Sequence, residues 1–417
     1  MNYNLQIKKI DYLAWLILLF IIFLRPFISS RACPFLELYY NIALTLTGFI
    51  FLIAGKREIH FKLQDLPILL FLISIVISSL FSIKPLSSLV ASIEFIIFIF
   101  VFILTRTLND YEKKQLIFTI IAASIIISLY AIYQYLFVFR HIFDYLAKYK
   151  VDYPYAQEFL ARKRVFATFF SPDMLAGYLI LIIPLVLGYY FKQKNKSLVT
   201  GYPECSYSSK YLFGIPKYNF LGHYIRGWLL VTLVILSISL FLTKSLGAIL
   251  SLFLGLFIFS YFFKQSRKKL IFPLLILALF CLLVVFLRGP QIFNITNPHN
   301  PFIRRLLYWK QSLKVIKQHP FLGIGLGNYQ IPESIFAHNT YLQLWAELGI
   351  LGLGSLIWFV FNYLKAGLKQ TKESFSKNYF WMGIFVSIIV FLIHNIIDFS
   401  FFILEVALIW WVLLALI

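Results

Sequence analysis

The chain is poor in charged residues, in acidic residues and in cysteine. Charged residues make up 13% of its 417 residues and hydrophobic residues 61%, which excludes an ordinary soluble globular protein. The three cysteines, Cys33, Cys205 and Cys281, are odd in number and far apart, so they predict no disulfide framework. Acidic residues number 17 against 38 Lys and Arg. In so apolar a chain this excess indicates membrane orientation and contact with membrane lipids, and we expect no nucleic-acid partner.

Most of the chain consists of hydrophobic runs. Most are close to the ~20 residues that cross a bilayer as a helix. The runs are 12–24, 35–54, 66–83, 86–105, 114–137, 173–191, 225–243, 246–263, 270–287, 338–363, 378–397 and 401–416. The first lacks a small-residue cleavage site before Arg25, so we expect it to be retained as a span. The sequence predicts an all-α integral membrane protein with about 12 transmembrane helices, in which residues 1–417 form a single polytopic domain.

The distribution of Lys and Arg predicts the orientation. With the N-terminus inside, most basic residues outside two long loops fall in cytoplasmic segments, and the short outer loops hold only Arg25, Arg31, Lys84 and Lys244. Both termini are therefore predicted to be cytoplasmic. The two long loops, 138–172 and 288–337, are then periplasmic.

The 288–337 loop contains a basic amphipathic helix. Its cations Arg304, Arg305, Lys310, Lys314 and Lys317 alternate with apolar residues, so we expect it to lie flat in the membrane interface. For the lysines, adhesion to anionic lipid and a specific role remain equally open. For the adjacent arginines, ahead of Trp309, phosphate binding is favoured, because guanidinium groups match phosphate oxygens and stay charged.

The 138–172 loop is basic and aromatic and fits either a membrane-surface helix or a wall on which glycans stack. The glycine-spaced turn Gly323, Gly325, Gly327 resembles a phosphate-binding nest only weakly, because it follows a helix rather than a strand.

His338 is the strongest candidate for chemistry. It lies at the first turn of a span on the predicted outer face, where a neutral imidazole could take a proton from an attacking sugar hydroxyl. The alternative is a helix cap, and the neighbouring basic helix favours the functional reading. His394 lies one helical turn before Asp398, which suits a functional or a structural pair equally well. The outer-loop acids lack metal-ligand spacing, so no metal site is predicted.

Several separated stretches resemble the O-antigen ligase and polymerase superfamily of bacterial envelope enzymes. Residues 305–310 and 319–329 are similar to the family's Arg…Trp-Lys…Gly-x-Gly-x-Gly-Asn core, and residues 337–343 to its His-Asn-x-Tyr-Leu-Gln signature. Residues 164–178 and 394–400 are similar to further family stretches.

The resemblance implies a membrane glycosyltransferase of the C-type architecture in the bacterial inner membrane, with its site on the periplasmic face and no cofactor or metal. Its donor would be an undecaprenyl-pyrophosphate-linked glycan. The acceptor would be a lipid A-core in a ligase, another repeat unit in an O-antigen or exopolysaccharide polymerase, or a protein side chain in related enzymes.

The resemblance also assigns roles to residues. His338 matches the base that activates the acceptor, and Arg305 an arginine that holds pyrophosphate. Leu246 stands where the family often has a second arginine, so we expect Arg304, Lys244 or Arg164 to supply that charge. Side chains expected to contact acceptor or glycan are Asn339, Tyr341, Trp309 and Asn328.

A transporter of polyprenol-linked sugar is the rival from another class. It would favour charges inside the spans and internal repeats with broken helices. The charge here is concentrated outside the spans and no clear repeat occurs, which favours an enzyme.

Overall fold

The computed structural model describes residues 2–149, 160, 162–199, 211–212, 215–262, 282, 300–332, 334–374 and 379–417. The elements of the described chain are helices apart from two short antiparallel strands, Tyr211–Leu212 and Ile215–Pro216. The all-α prediction is confirmed. The α-helices are α1 (Asn2–Leu24), α2 (Pro34–Ala54), α3 (Leu66–Leu80), α4 (Pro85–Arg106), α5 (Asp110–Tyr133), α6 (Phe139–Tyr149), α7 (Pro172–Val199), α8 (Lys217–Thr243), α9 (Leu246–Phe262), α10 (Pro301–Gln318), α11 (Thr340–Ser374), α12 (Tyr379–His394) and α13 (Leu404–Ala415).

Within the described ranges, seven helical segments are long and apolar enough to cross a membrane. They are Pro34–Ala54, Leu63–Leu80, Pro85–Arg106, Asp110–Tyr145, Pro172–Gln193, Tyr224–Thr243 and Thr340–Lys369. Shorter apolar helices cover Leu246–Ser260, Tyr379–His394 and Leu404–Ala415. Of the predicted run 270–287 only Leu282 is described, so the count of about 12 spans stays a prediction.

Sequence signals at the helix ends explain where helices begin. Asn109 caps α5, and its side chain accepts hydrogen bonds from the N–H groups of Tyr111 and Glu112 at 2.9 and 3.0 Å. Asn300 caps α10 by accepting from the N–H of Phe302 at 2.9 Å. Proline, which suits the first turn because it lacks an N–H donor, follows this cap as Pro301.

The helical path after α5 differs from the predicted loop boundary at 138. A π-helical turn, Gln134–Val138, connects α5 directly to α6, so residues 139–149 are helical. The Gln134 side chain accepts hydrogen bonds at 2.9 Å from the N–H groups of Phe166 and Ala167, 32 and 33 residues later. The predicted run ends at 137 because Arg140 and His141 follow, whereas the helix continues through these polar residues.

Alternate connections meet at opposite ends of the bundle, as the span pattern predicts. At one end, the Thr168 hydroxyl donates to the carbonyl of Pro26 at 2.6 Å, and Lys244 Nζ donates to the carbonyl of Arg162 at 2.6 Å. At the other end, Arg57 pairs with Glu112 at 2.7 Å. Loop segments from different parts of the sequence therefore share one surface.

α11 is broken at Gly349, whose φ of 67° and ψ of −177° are non-helical. The chain around Pro320 closes the break with three backbone hydrogen bonds of 2.9 Å. They run from Ile324 N to Ala346 O, from Gly325 N to Glu347 O, and from Ile350 N to Pro320 O. The N–H of Gly323 donates to His319 O. These amides already donate to backbone carbonyls, which agrees with the weak resemblance of the glycine turn to a phosphate nest. The glycines let two backbones approach closely.

The core is centred on α13, which is buried along its length among α4, α7 and α12. A buried ion pair joins it to the chain after α1: Arg25 Nη2 lies 3.0 Å from Glu405 Oε2, and the side chains are 0% and 1% exposed. The guanidinium also lies over the Tyr40 ring, 4.7 Å from its centroid. The pair ties the beginning of the bundle to its last helix.

Candidate functional site

His338 lies at the meeting point of loops that are distant in sequence. Its imidazole stacks on Tyr308 of α10, with ring centroids 5.6 Å apart, and meets Phe399 edge-on at 4.7 Å. The Trp309 indole donates to the His338 carbonyl at 3.4 Å. α10 and the segment after α12 thus fix the position of this side chain from two sides.

The backbone and hydrogen bonding of His338 are unusual. Its φ is 50°, in the left-handed region that non-glycine residues rarely adopt and that costs of order 1–3 kcal/mol. Nδ1 is buried and makes no hydrogen bond within the described part of the chain. Strain and an unpartnered ring nitrogen are features that a mere helix cap does not need.

The surroundings keep the imidazole neutral. Burial and, to a smaller extent, the nearby Arg305 cation lower the pKa of His338 to about 4, against smaller opposite effects of Asp398 and Asp173. His338 is therefore uncharged at neutral pH and able to accept a proton.

Arg304 and Arg305 lie near the start of α10, three and four residues after Pro301. Arg305 Nε is buried and has no hydrogen-bond partner among the described residues. The charge of Arg305 is close enough to the imidazole to lower the pKa of His338. Because Arg305 forms no salt bridge within the described residues, it is suited to receive an anion.

Arg164 and Asp173 form a second charged group at this end of the bundle. Arg164 Nη2 lies 2.9 Å from Asp173 Oδ1, and its Nε donates to the carbonyl of Thr243 at 2.9 Å. Ser245 Oγ donates to the same carboxylate oxygen at 2.5 Å. These contacts bind the chain before α7 to the α8–α9 turn.

Lys244 stands in that α8–α9 turn with a φ of 52°. Its ammonium donates to the Arg162 carbonyl, and burial, together with Arg164 and Lys163, lowers its pKa. Arg164 and Lys244 thus bring positive charge to the position where Leu246 replaces the family arginine, but both are engaged by protein groups.

A third group lies behind Thr340. His394 Nε2 is 3.1 Å from Asp398 Oδ2, as the one-turn spacing predicts, and Ser400 donates to the same carboxylate. The Thr340 hydroxyl donates to Asn395 Oδ1 at 2.7 Å and its N–H to Asp398 O at 3.1 Å. The 394–400 stretch is therefore hydrogen-bonded to the residues that follow His338.

Comparison with known protein families supports the same region. Residues 231–357 match the family model described as O-antigen ligase. The match covers less than a third of the chain and makes this region similar to O-antigen ligases. A search of curated proteins finds no match. The matched region contains Lys244, Arg305 and His338, whereas Arg164 and Asp398 lie outside it.

The side chains expected to contact acceptor or glycan lie in different surroundings. Trp309 lies beside the His338 carbonyl. Asn339 Oδ1 accepts the N–H of Leu342 at 3.0 Å and so caps α11. The Tyr341 hydroxyl donates to Leu392 O at 2.8 Å and packs α11 against α12. Both side chains therefore also stabilise the fold, and their contact with acceptor or glycan stays a prediction.

Asn328 lies apart from the imidazole. It donates to Ser82 and to the carbonyl of Ile324 and lines a separate cavity, so its contact with acceptor or glycan stays a prediction. Sequence analysis did not predict that Asp173 and Ser245 contact each other beside Arg164. The signal in the sequence is the position of Asp173 at the start of a predicted span.

Proposed function

We propose that this protein is an O-antigen ligase-like glycosyltransferase that moves a glycan from undecaprenyl pyrophosphate to a lipid A-core or similar acceptor. The observation that carries the proposal is a neutral histidine, His338, close to the guanidinium of Arg305, whose buried Nε has no partner among the described residues. The family match agrees with a polyprenol-linked glycan donor and a glycan acceptor in the membrane.

The proposed reaction uses each of these groups once. An acceptor hydroxyl attacks the anomeric carbon of the donor, the new glycosidic bond forms, and the bond from that carbon to the pyrophosphate oxygen breaks. The imidazole of His338 takes the hydroxyl proton. Undecaprenyl pyrophosphate leaves with the bonding electrons, and Arg305 stabilises its charge. The protonated imidazole then returns its proton to solvent.

Donor binding would strengthen the base. Burial and Arg305 make His338 a weak base in the free protein. A pyrophosphate bound at Arg305 brings negative charge close to the imidazole, which offsets the arginine and raises the pKa of His338. The histidine would then be most basic when the donor is in place.

The remaining cations would shape the anion site. Arg304 is the neighbour of Arg305 on α10, and Arg164 and Lys244 add positive charge near the α8–α9 turn. In this proposal the site faces the periplasm of a bacterial inner-membrane protein and both termini are cytoplasmic.

The broken helix α11 does not by itself favour the transporter. In transporters the unwound backbone of a broken helix coordinates the transported ion or substrate. Here the break at Gly349 is closed by hydrogen bonds to the chain at 320–325. The break therefore has a structural explanation.

The test uses purified protein in detergent with an undecaprenyl-pyrophosphate glycan and a lipid A-core acceptor, each reaction with and without chelator. We expect His338→Ala to lower transfer about 10²–10⁴-fold and Arg305→Ala about 10²–10³-fold. Matched controls are the exposed His319→Ala and Lys314→Ala on or next to the same helix, which should transfer normally.

Each outcome has a distinct meaning. Transfer that survives chelator and is lost in both site variants supports the proposed mechanism. Lengthening of the donor glycan without acceptor means a repeat-unit polymerase. Movement of labelled donor across a liposome bilayer with neither product means a transporter and refutes the enzyme.

A further inference from the structure

A polar cavity of about 260 Å³ lies between α4 and the chain around Asn328 and Glu347. Phe336 forms part of its wall and stacks on Phe399, with ring centroids 4.0 Å apart. Phe399 in turn contacts the His338 ring. The cavity and His338 therefore lie on either side of one aromatic pair. Charged and amide side chains that line the cavity are Arg31, Lys84, Glu94, Asn328, Gln330, Gln343 and Glu347.

Two lining oxygens are buried and make no hydrogen bond within the described ranges. Glu347 is 1% exposed; its Oε1 accepts from Gln343 at 3.3 Å, and the backbone N–H groups of Gly327 and Tyr329 also face the carboxylate, whose Oε2 makes no hydrogen bond among the described residues. Asn328 Oδ1 is likewise buried and unpartnered in that part of the chain. A buried polar atom without a hydrogen bond costs about 1–3 kcal/mol. Both oxygens can accept hydrogen bonds from a ligand that carries hydroxyl groups.

Charged groups of opposite sign complete the lining. The carboxylate of Glu94 makes no hydrogen bond or salt bridge within the described ranges. Arg31 and Lys84 are exposed, and Arg31 lies over the Phe336 ring at 4.9 Å from its centroid. A ligand can thus meet hydrogen-bond acceptors deep in the cavity and cations at its exposed edge.

We propose that this cavity binds one sugar ring of the acceptor glycan, with its hydroxyls on Glu347, Glu94 and Asn328 and an anionic substituent at Arg31 and Lys84. The proposal rests on the proposed transferase function. The sugar held here would neighbour the one whose hydroxyl reaches His338 past the Phe336–Phe399 pair. Donor and acceptor would then approach the histidine from different sides.

Size and surface chemistry favour a single sugar. The volume lies just under the ~300–1,000 Å³ of typical ligand pockets, which is too small for a long glycan. Aromatic rings of Phe95, Phe336 and Phe402 line the cavity beside its polar groups. Such rings pack against the C–H faces of a sugar, while carboxylates and amides take its hydroxyls. An acyl chain would leave these acids and amides unpaired.

The test compares Glu347→Gln, Glu94→Gln and Arg31→Gln with Arg140→Gln, an exposed arginine that does not line the cavity. The readouts are the acceptor KM, the donor KM and the rise in melting temperature caused by free acceptor oligosaccharide. We expect each carboxylate variant to raise the acceptor KM about 10-fold or more and to leave the donor KM unchanged, because one charged hydrogen bond is lost. Arg140→Gln should match the native protein.

A second arm tests the anionic substituent. Removal of carboxylate and phosphate groups from the acceptor should raise the KM of the native protein and have little effect on Arg31→Gln, which has already lost the contact.

Results that overturn the proposal are separate from failure of the function. If transfer depends on His338 but no cavity variant changes the acceptor KM, the cavity is structural and the transferase stands. If the native protein transfers nothing, the rise in melting temperature caused by the free oligosaccharide still tests the sugar subsite. Loss of that rise in Glu347→Gln supports the subsite, whereas a rise equal to that of the native protein refutes it.

Discussion

Gly349 is the position where one methyl group should do the most damage to the fold. A Cβ built there lies 1.9 Å from the carbonyl oxygen of Phe321, and the φ and ψ of this residue belong to a region open essentially to glycine. The backbone conformation alone costs an alanine about 1–3 kcal/mol. The overlap also pushes away the chain at 320–325, whose three hydrogen bonds contribute about 0.5–1.5 kcal/mol each. We expect Gly349→Ala to destabilise the protein by about 3–7 kcal/mol.

The assay is thermal unfolding in detergent, followed by tryptophan fluorescence. Gly354→Ala on the same helix is the matched control, because a Cβ there meets nothing within 4 Å. That substitution should be neutral or stabilising by up to about 1 kcal/mol, since alanine is the better helix former. Equal melting temperatures for the two variants would show that the break in α11 does not exist in the protein.

Three further perturbations follow from the charged groups. Arg305→Gln removes a cation that disfavours protonation of His338, so the pKa of His338 should rise from about 4 toward its ordinary value. The pH dependence of the modification of His338 by diethyl pyrocarbonate measures this pKa. An unchanged pKa would show that Arg305 does not act on the imidazole. Glu405→Gln leaves Arg25 as a buried charge without its carboxylate and should lower the free energy of unfolding by about 3–5 kcal/mol. Replacing both residues with apolar ones should recover most of that loss. Thermal unfolding of the single and double variants tests this prediction. Asp173→Asn weakens the hydrogen bonds of this carboxylate to Arg164 and Ser245 and should lower the free energy of unfolding by about 1–3 kcal/mol in the same assay. An unchanged melting curve would contradict this prediction.

Local sequence patterns predicted much of the helical structure. Hydrophobic runs give helices because a buried backbone must satisfy its own hydrogen bonds. Apart from 270–287, each predicted run falls largely within a described helix. The break at Gly349 was missed, since a glycine in an apolar run is compatible with a regular helix. Only its contact with Phe321 shows that the helix must open there.

The candidate site was predictable where its residues are close in sequence. His338 and Arg305 share one loop region, so their motif spacing suggested their association. Arg164 and Thr243 are 79 residues apart, and nothing in the sequence reports their contact. Asn328 lies within the same motif as Arg305 and yet faces another cavity, because the turn at 320–325 carries it to the break in α11.

The ion pair between Arg25 and Glu405 has a consequence for biogenesis. The two residues are 380 positions apart, so the arginine enters the membrane long before its partner has been synthesised. Until α13 inserts, Arg25 has only the weaker attraction of Glu37 and Glu94 and lacks the carboxylate that binds its Nη2. Insertion of the last helix supplies that carboxylate. A chain that stops short of Glu405 would keep an arginine without its ion-pair partner, a local defect by which quality-control proteases would distinguish unfinished chains from finished ones.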